Sequence, residues 1–334
     1  MCCFQLSVCL WTWHVQTLKF PFNTLLPNSI LNLCVSGEGE ESQLQTAIND
    51  IFITSEHGVT SKQPPPTSIL LLKNLRFFQR VIAFCQWKNF IYLCIDDNTI
   101  VKMTRNLDGL CRFIRCANSV KAMSVYKDQI YTMQCVYGRR YTASYSIHVY
   151  DLSGQEVTQW SCSVDTSVYV ATLTIMDDQL IIPDKTNRRL IVYSLDGHLL
   201  KYIPCSLLHS GKSSVDMLSY ERGSVIICDS VLNKLSKINI TTGEVVRTFD
   251  GFNHPTQICI YGPHYVLVAQ NHGSEIVALN LKTGEIKSVP FLENRDAWFD
   301  GYIINMQCVG GTLLLYSYRE GSLFELYKIN TILP

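Results

Sequence analysis

Five turn glycines recur in one context along the chain: RNLDGLCRF (Gly109), YDLSGQEVTQW (Gly154), YSLDGHLLKYI (Gly197), NITTGEVVRTF (Gly243) and NLKTGEIKSVP (Gly284). Their separations are 45, 43, 46 and 41 residues. Each glycine follows one apolar run and precedes another, where a tight hairpin needs a residue with positive φ. No long segment with a 3.6-residue apolar period interrupts this pattern after the Pro-rich stretch.

A period near 43 residues accommodates four short strands, which is one blade of a β-propeller. The third unit reads as VATLTIMDD, QLIIPD, RRLIVYSL and HLLKYIPC. The fourth reads as VDMLSYERG, SVIICDS, KLSKINIT and EVVRTFD, and the fifth as TQICIYG, HYVLVAQ, SEIVALNL and EIKSVPF. Several of these runs are apolar at every position, as expected for sheets packed on both faces. The final unit, GYIINMQCVGGTLLLYSYREGSLFELYKIN, supplies three strands before the chain stops. TSILLLKNL (67–75) is placed to supply the fourth, removing an exposed edge. The expectation is an all-β fold over 67–334: a six-bladed propeller with four-stranded antiparallel blades, the last closed by an N-terminal strand.

The rest of the chain reads differently. Residues 1–60 form an extension with one charge, Lys19, in their first 37 residues. They show no clear early positive charge or small-residue cleavage site of a signal peptide. They read as a poorly ordered extension or a truncated remnant of an earlier region, with a signal peptide or a membrane helix as the alternatives. Gln5, Ser7, Thr12, His14, Gln16 and Thr17 interrupt the apolar run that a membrane helix requires. Residues 61–66 read as a linker, with Pro64, Pro65 and Pro66 favouring extended backbone. Fourteen cysteines contain no Cys-x-x-Cys pair. From Cys85 onward they sit singly in apolar runs, as small buried hydrophobes do. That usage suits a reducing compartment, and a cytoplasmic location is expected, with no membrane partner. Net charge is zero, but twelve Lys/Arg face four Asp/Glu over 67–150, against fourteen and nineteen over 151–334. Such a polarised surface would steer an anionic partner towards the first part, the alternative being a chance imbalance on solvated strands.

PDKTNRRLIVYSLDGHLL (183–200) resembles the core of an NHL repeat, in which an Asp ends the second strand and Asn-Arg precedes an apolar third strand and a Gly turn. Those positions are Asp184, Asn187, Arg188 and Gly197. CDSVLNKLSKINITTGE is similar, with Asp229, Asn233, Lys234 and Gly243. The fifth unit opens on His254-Pro255, also typical of that repeat, ends in Gly284's turn, and has Gln270 where the Asp would stand. No Trp-Asp dipeptide occurs, which sets WD repeats aside. The double glycine of kelch repeats occurs only at Gly310-Gly311. The Asp and Asn side chains are expected to shape the loops by bonding local backbone, with no ligand role.

Catalytic patterns fail on inspection. Gly211-Lys212-Ser213 ends like a phosphate loop, but the earlier glycine is replaced by Ser206 and no helix follows. His254, His264 and His272 fall on loops at opposite ends of the expected blade, so they do not converge as metal ligands. Calcium-type carboxylates on inner strands are few (Asp177, Asp178, Asp216), and a metal-dependent six-bladed hydrolase or lyase ranks third among the readings. No catalytic residue, metal or cofactor is expected.

Loops between second and third strands share one end of a propeller with the loops between blades. The former carry Arg139, Arg140, Tyr141, Arg188, Lys234, His272 and Arg319; the latter carry Phe252, Asn253, His254, Arg295 and Trp298. Arginine and aromatic residues are common at interface hot spots. The expected function is a non-catalytic interaction scaffold that binds a protein or peptide through this top face. The resemblance is to the propeller of multidomain ubiquitin ligases, without a RING or B-box. Single-stranded RNA is the alternative partner, since guanidinium groups hold phosphates and rings stack bases. The sequence is silent on oligomeric state.

Overall fold

The structure, a computed structural model, describes residues 4–8, 16–20, 65–77, 81–95, 98–137, 143–163, 172–208, 215–220, 223–271, 274–290, 302–309, 311–318 and 322–331. Among them the strands form six four-stranded antiparallel sheets and a separate two-stranded hairpin. Within a blade the chain runs from the inner strand outward. Blade 1 is Val81–Trp87, Phe90–Ile95, Thr99–Thr104 and Cys111–Arg115. Blade 2 is Ser119–Tyr126, Gln129–Tyr137, Ala143–Asp151 and Glu156–Cys162. Blade 3 is Thr174–Met176, Gln179–Asp184, Arg189–Ser194 and Leu199–Pro204. Blade 4 is Val215–Tyr220, Ser224–Asp229, Lys234–Asn239 and Val245–Phe249, and blade 5 is Gln257–Tyr261, Tyr265–Gln270, Glu275–Asn280 and Ile286–Ser288. The remaining sheet joins Tyr302–Val309, Thr312–Tyr318 and Ser322–Thr331 to Pro66–Phe77. In that pairing Ser322 faces Phe77 and Thr331 faces Pro66. Pro66, expected in the linker, is thus the first strand residue, a position where its missing N–H is tolerated.

The second and third strands are buried on both faces because each sheet is sandwiched between two neighbours. Leu180 and Ile182 face blade 2, packing with Met133, Ile147 and Val149. Ile181 between them faces blade 4 and packs with Val225 and Ile227. Further apolar clusters join blades 4 and 5 around Phe249 and Val268, and blade 5 to the last sheet around Leu267 and Leu313. Tyr316 and Leu314 of that last sheet pack with Phe84 and Leu93 of blade 1, and blade 1 packs on blade 2 through Tyr92 and Ile130.

Among the described residues the inner strands pair with no strand of the next blade, and side chains bridge the gap. Gln307 Nε2 donates to the Phe84 carbonyl (3.0 Å), and the buried Tyr316 hydroxyl accepts from Val81 N (3.1 Å). Asp216 joins three blades: its carboxylate accepts from Thr172 Oγ1 (3.3 Å), Met217 N (2.9 Å) and Ile258 N (2.9 Å). Burial raises the Asp216 carboxyl from 3.8 to about 6 despite those three donors. A raised folded-state value means that the protonated carboxyl favours folding. This contribution is full below pH 3.8 and is lost as pH rises through about 6. We expect the stability gap between wild type and Asp216→Asn to shrink as pH rises across that window, in urea titrations. A pH-independent gap would show that burial does not perturb this group.

Candidate partner-binding face

Two kinds of loop define the ends of the propeller. At the bottom, the inner and second strands are joined by two-residue hairpins in blades 2 and 3, with positive φ at Lys127 (46°), Asp128 (60°), Asp177 (49°) and Asp178 (59°). That is the geometry of the primed turns, for which Asp is one of the few suitable residues. These turns are laced together across blades. Lys88 Nζ lies 2.7 Å from Asp128, and Lys127 Nζ lies 2.6 Å from Asp178. Asp177 accepts from Gly223 N (3.1 Å), and the Tyr220 hydroxyl donates to the Pro263 carbonyl (3.0 Å). Lys88 and Lys127 hold the carboxyls of Asp128 and Asp178 below the usual range. His264 lies in this bottom region, whereas His254 lies in a loop between blades 4 and 5.

The top end carries the repeat motif. Asp184, 1% exposed, ends the second strand of blade 3. Its Oδ1 accepts from Asn187 N (3.2 Å), and its Oδ2 accepts from Asn187 Nδ2 (2.9 Å) and Arg189 Nε (2.8 Å). In blade 4, Asp229 Oδ1 accepts from Val231 N (2.8 Å) and Leu232 N (3.0 Å). Asp229 Oδ2 is buried with no hydrogen-bond partner among the described residues. Burial lowers the Lys185 amine, and the charge of Asp229 pulls it back up.

Strand register corrects the alignment of the two motifs. Asp184 pairs with Arg189 and Asp229 with Lys234, so Arg188 is equivalent to Asn233, and Asn187 to Leu232. Arg188 (φ 49°) and Asn233 (φ 55°) both hold the left-handed position of the loop. Asn233 uses its side chain there to accept from His254 N (2.7 Å), tying blade 4 to the loop that opens blade 5. Arg188 instead bonds through its backbone, its carbonyl accepting from Cys205 N (2.7 Å), and its side chain is exposed. Lys234 Nζ lies 3.0 Å from Asp250, with both side chains exposed.

Of the expected binding residues, Arg188 and Lys234 fall at this end, while Arg139, Arg140, Tyr141, His272, Arg295, Trp298 and Arg319 lie outside the described residues. Phe252, read as a top-face residue, is buried in the apolar cluster between blades 4 and 5.

Sequence reasoning missed the length of the blade 2 hairpin. Its second and third strands have nine residues each, against six in blades 1, 3, 4 and 5. The inner strand reaches only to Ser119, opposite Cys135, and the outer strand only to Cys162, opposite Tyr145. Beyond those points, among the described residues, the hairpin continues as two strands alone. Val136 and Tyr137 are exposed on it, Tyr137 by 61%. Lys121 Nζ approaches the Tyr137 ring to 5.3 Å from its centre. A signal existed in the uninterrupted run from Gln129 to Tyr137.

Three lysines of the basic stretch 67–150 lie away from the top. Lys88 and Lys127 belong to the bottom lacing, and Lys102 sits 3.9 Å from the Phe90 ring centre on the rim of blade 1. Among the described residues no group of three or more His, Cys, Asp or Glu is placed to hold a metal. No helix among them is long and apolar enough to cross a membrane. Burial pushes the thiols of Cys116 up to about 11 and of Cys162 and Cys308 up to about 12, which makes them poor nucleophiles.

No protein-family model matches the chain, and no curated protein matches it. Among solved structures it is similar to the WD40 β-propeller domain of Doa1, with a TM-score of 0.49 at 12% identity, covering 78% of this chain and 97% of that one. The chain's own sheets, with their four antiparallel strands and blade-to-blade apolar clusters, make it a β-propeller.

Proposed function

We propose that the chain is a six-bladed NHL-type ring, closed by Pro66–Phe77, that binds a protein or peptide partner through its top face and performs no chemistry. The pairing of Pro66–Phe77 with Ser322–Thr331 supports the closure. So does the circuit of inner strands, in which Tyr302–Val309 returns to Val81–Trp87. The Asp184 and Asp229 loops support the NHL reading, since both carboxylates bond local backbone.

The observation that carries the binding reading is the blade 2 hairpin. A two-stranded extension with an exposed tyrosine and valine offers a rigid aromatic anchor at low entropic cost, which suits a protein contact. The sequence at its tip, Gly138-Arg139-Arg140-Tyr141-Thr142, adds two guanidinium groups. RNA is the weaker reading because Lys88, Lys102 and Lys127 of the basic segment are engaged away from the top.

Quantitative affinity capture tests this with the full chain. Partners should be lost from Tyr137→Ser/Arg139→Ala/Arg140→Ala and kept by the bottom-face control Lys88→Ala/Lys127→Ala. Equal retention by both would remove the top face from consideration. Tight, salt-sensitive binding of a random single-stranded RNA pool would replace the protein reading with the RNA one.

A further inference from the structure

Blade 2 carries a hydrogen-bonded trio that the partner-binding reading does not use. Ser146 Oγ lies 2.9 Å from His148 Nε2, and His148 Nδ1 lies 3.3 Å from Glu156 Oε1. Ser146 and His148 are two apart on the third strand, so they share one face with Tyr150. That face looks toward blade 1, since Tyr150 packs in the cluster between blades 1 and 2. His148 is 4% exposed, Ser146 is half-buried and Glu156 is exposed.

The order of the three is that of an activated hydroxyl: a nucleophile, a base and a group that orients the base. A carboxylate only accepts, so Glu156 keeps the imidazole proton on Nδ1. Nε2 is then left to accept from the Ser146 hydroxyl. The neighbouring polar side chain on this face behaves differently. Gln134, fully buried, closes its amide on Thr132 Oγ1 (3.1 Å) and the Tyr150 hydroxyl (3.0 Å). The trio ends instead in a hydroxyl near the open corner of the blade.

The surroundings of that hydroxyl suit an acyl group. Ser146 is one residue from the last pair with the outer strand, Tyr145 with Cys162. Ser144, next along on the same face, is exposed, and so is Ser161, directly opposite Ser146. Ser161 puts a second hydroxyl on this face, a donor for the oxygen of a tetrahedral adduct. Val136, opposite Ser144, shares the face and is 44% exposed. It offers aliphatic surface to an acyl chain.

We infer that Ser146 is an acyl-acceptor site, taking the aliphatic acyl group of an activated ester or thioester. His148 Nε2 removes the hydroxyl proton as Ser146 Oγ bonds to the carbonyl carbon. The bond from that carbon to the leaving oxygen or sulfur breaks, and the imidazolium returns the proton to the leaving atom. Glu156 is a positioning residue. The product is the modified chain itself, and the reading of the ring as a binding module stands or falls separately.

The full chain treated with p-nitrophenyl butyrate tests it. Peptide mass spectrometry should find butyryl ester on Ser146 well ahead of its exposed neighbours Ser144 and Ser161. His148→Gln should lower the rate of Ser146 acylation about 10²-fold or more. Glu156→Gln should lower it less, with Glu156→Asp restoring part of the loss. Unchanged amide protection in the second strands of blades 1 and 5 shows that each variant is folded. No butyryl group on Ser146 in the unaltered chain, or equal labelling of Ser144 and Ser161, would overturn the inference. So would a rate that a folded His148→Gln chain leaves unchanged.

Discussion

Gly197→Ala should lower the unfolding free energy by about 2–4 kcal/mol, far more than the same change at Gly223. Two effects add at Gly197. Its φ of 94° is strained for any L side chain, at roughly 1 kcal/mol or more. A methyl group there would also lie 2.7 Å from Cδ2 and 2.8 Å from Cγ of Trp160. Those are ring atoms next to the backbone, not the end of a flexible chain, so the indole must tilt against its packing, adding about 1–3 kcal/mol. Gly223 has a similar φ of 73° and nothing within 4 Å, leaving about 1 kcal/mol from the backbone alone. Urea midpoints for the two variants settle the matter. Equal losses would mean that the blade 2 tryptophan yields freely. If Gly197→Ala loses more, Trp160→Ala/Gly197→Ala should recover part of the methyl's penalty, since contacting residues couple.

That contact shows how far the sequence could be read. The glycine itself was legible, because a left-handed turn position narrows the choice of residue. What it packs against was not. The covering residues are Phe113 and Ile114 for Gly154, Trp160 for Gly197, Ile203 for Gly243 and Arg247 for Gly284. They occupy comparable places on successive outer strands but share only bulk, so no residue-type pattern announces them. Arg247 even adds hydrogen bonds, its Nη1 donating to the carbonyls of Leu281 (2.8 Å) and Lys282 (2.9 Å) in the next blade's turn.

The motif loops failed by one residue for a related reason. Asn187 and Asn233 are the same residue type, but the loop geometry demands a left-handed residue four places after the Asp. Arg188 meets that demand in blade 3, against its own propensity. Charge was misleading in a different way. A local excess of lysine and arginine says nothing about which end of a strand each occupies, and hairpin connectivity sends successive turns to opposite ends. The reach of the blade 2 hairpin was hidden because a strand that outlasts its neighbours looks no different from one that is paired throughout.

Asp184→Ala should cost about 2–4 kcal/mol, and Asp229→Ala about half of that. Both residues end the second strand of their blade, and repeat logic alone would give them equal weight. Their oxygens are used differently. Asp184 satisfies both, and one of them meets Arg189, whose guanidinium stacks 3.9 Å from the Tyr202 ring centre. Removing that carboxylate strands the Asn187 N–H and a half-buried cation together, the costly way to break a pair. Asp229 bonds two backbone N–H groups through Oδ1, but its Oδ2 is buried without a hydrogen bond among the described residues. Truncation there loses two bonds and also relieves a desolvated oxygen, so the terms partly cancel. Asp184→Asn should fall between, keeping the loop's shape while losing the charge opposite Arg189. Unfolding free energies for the three variants form the check, and a loss at Asp229 equal to or above that at Asp184 would refute this account. Because the Asp184 loop carries Arg188, the same variants also separate roles at the top face. A binding defect in Asp184→Ala that Arg188→Ala reproduces at full stability would trace recognition to the guanidinium, with the carboxylate serving only to hold its loop.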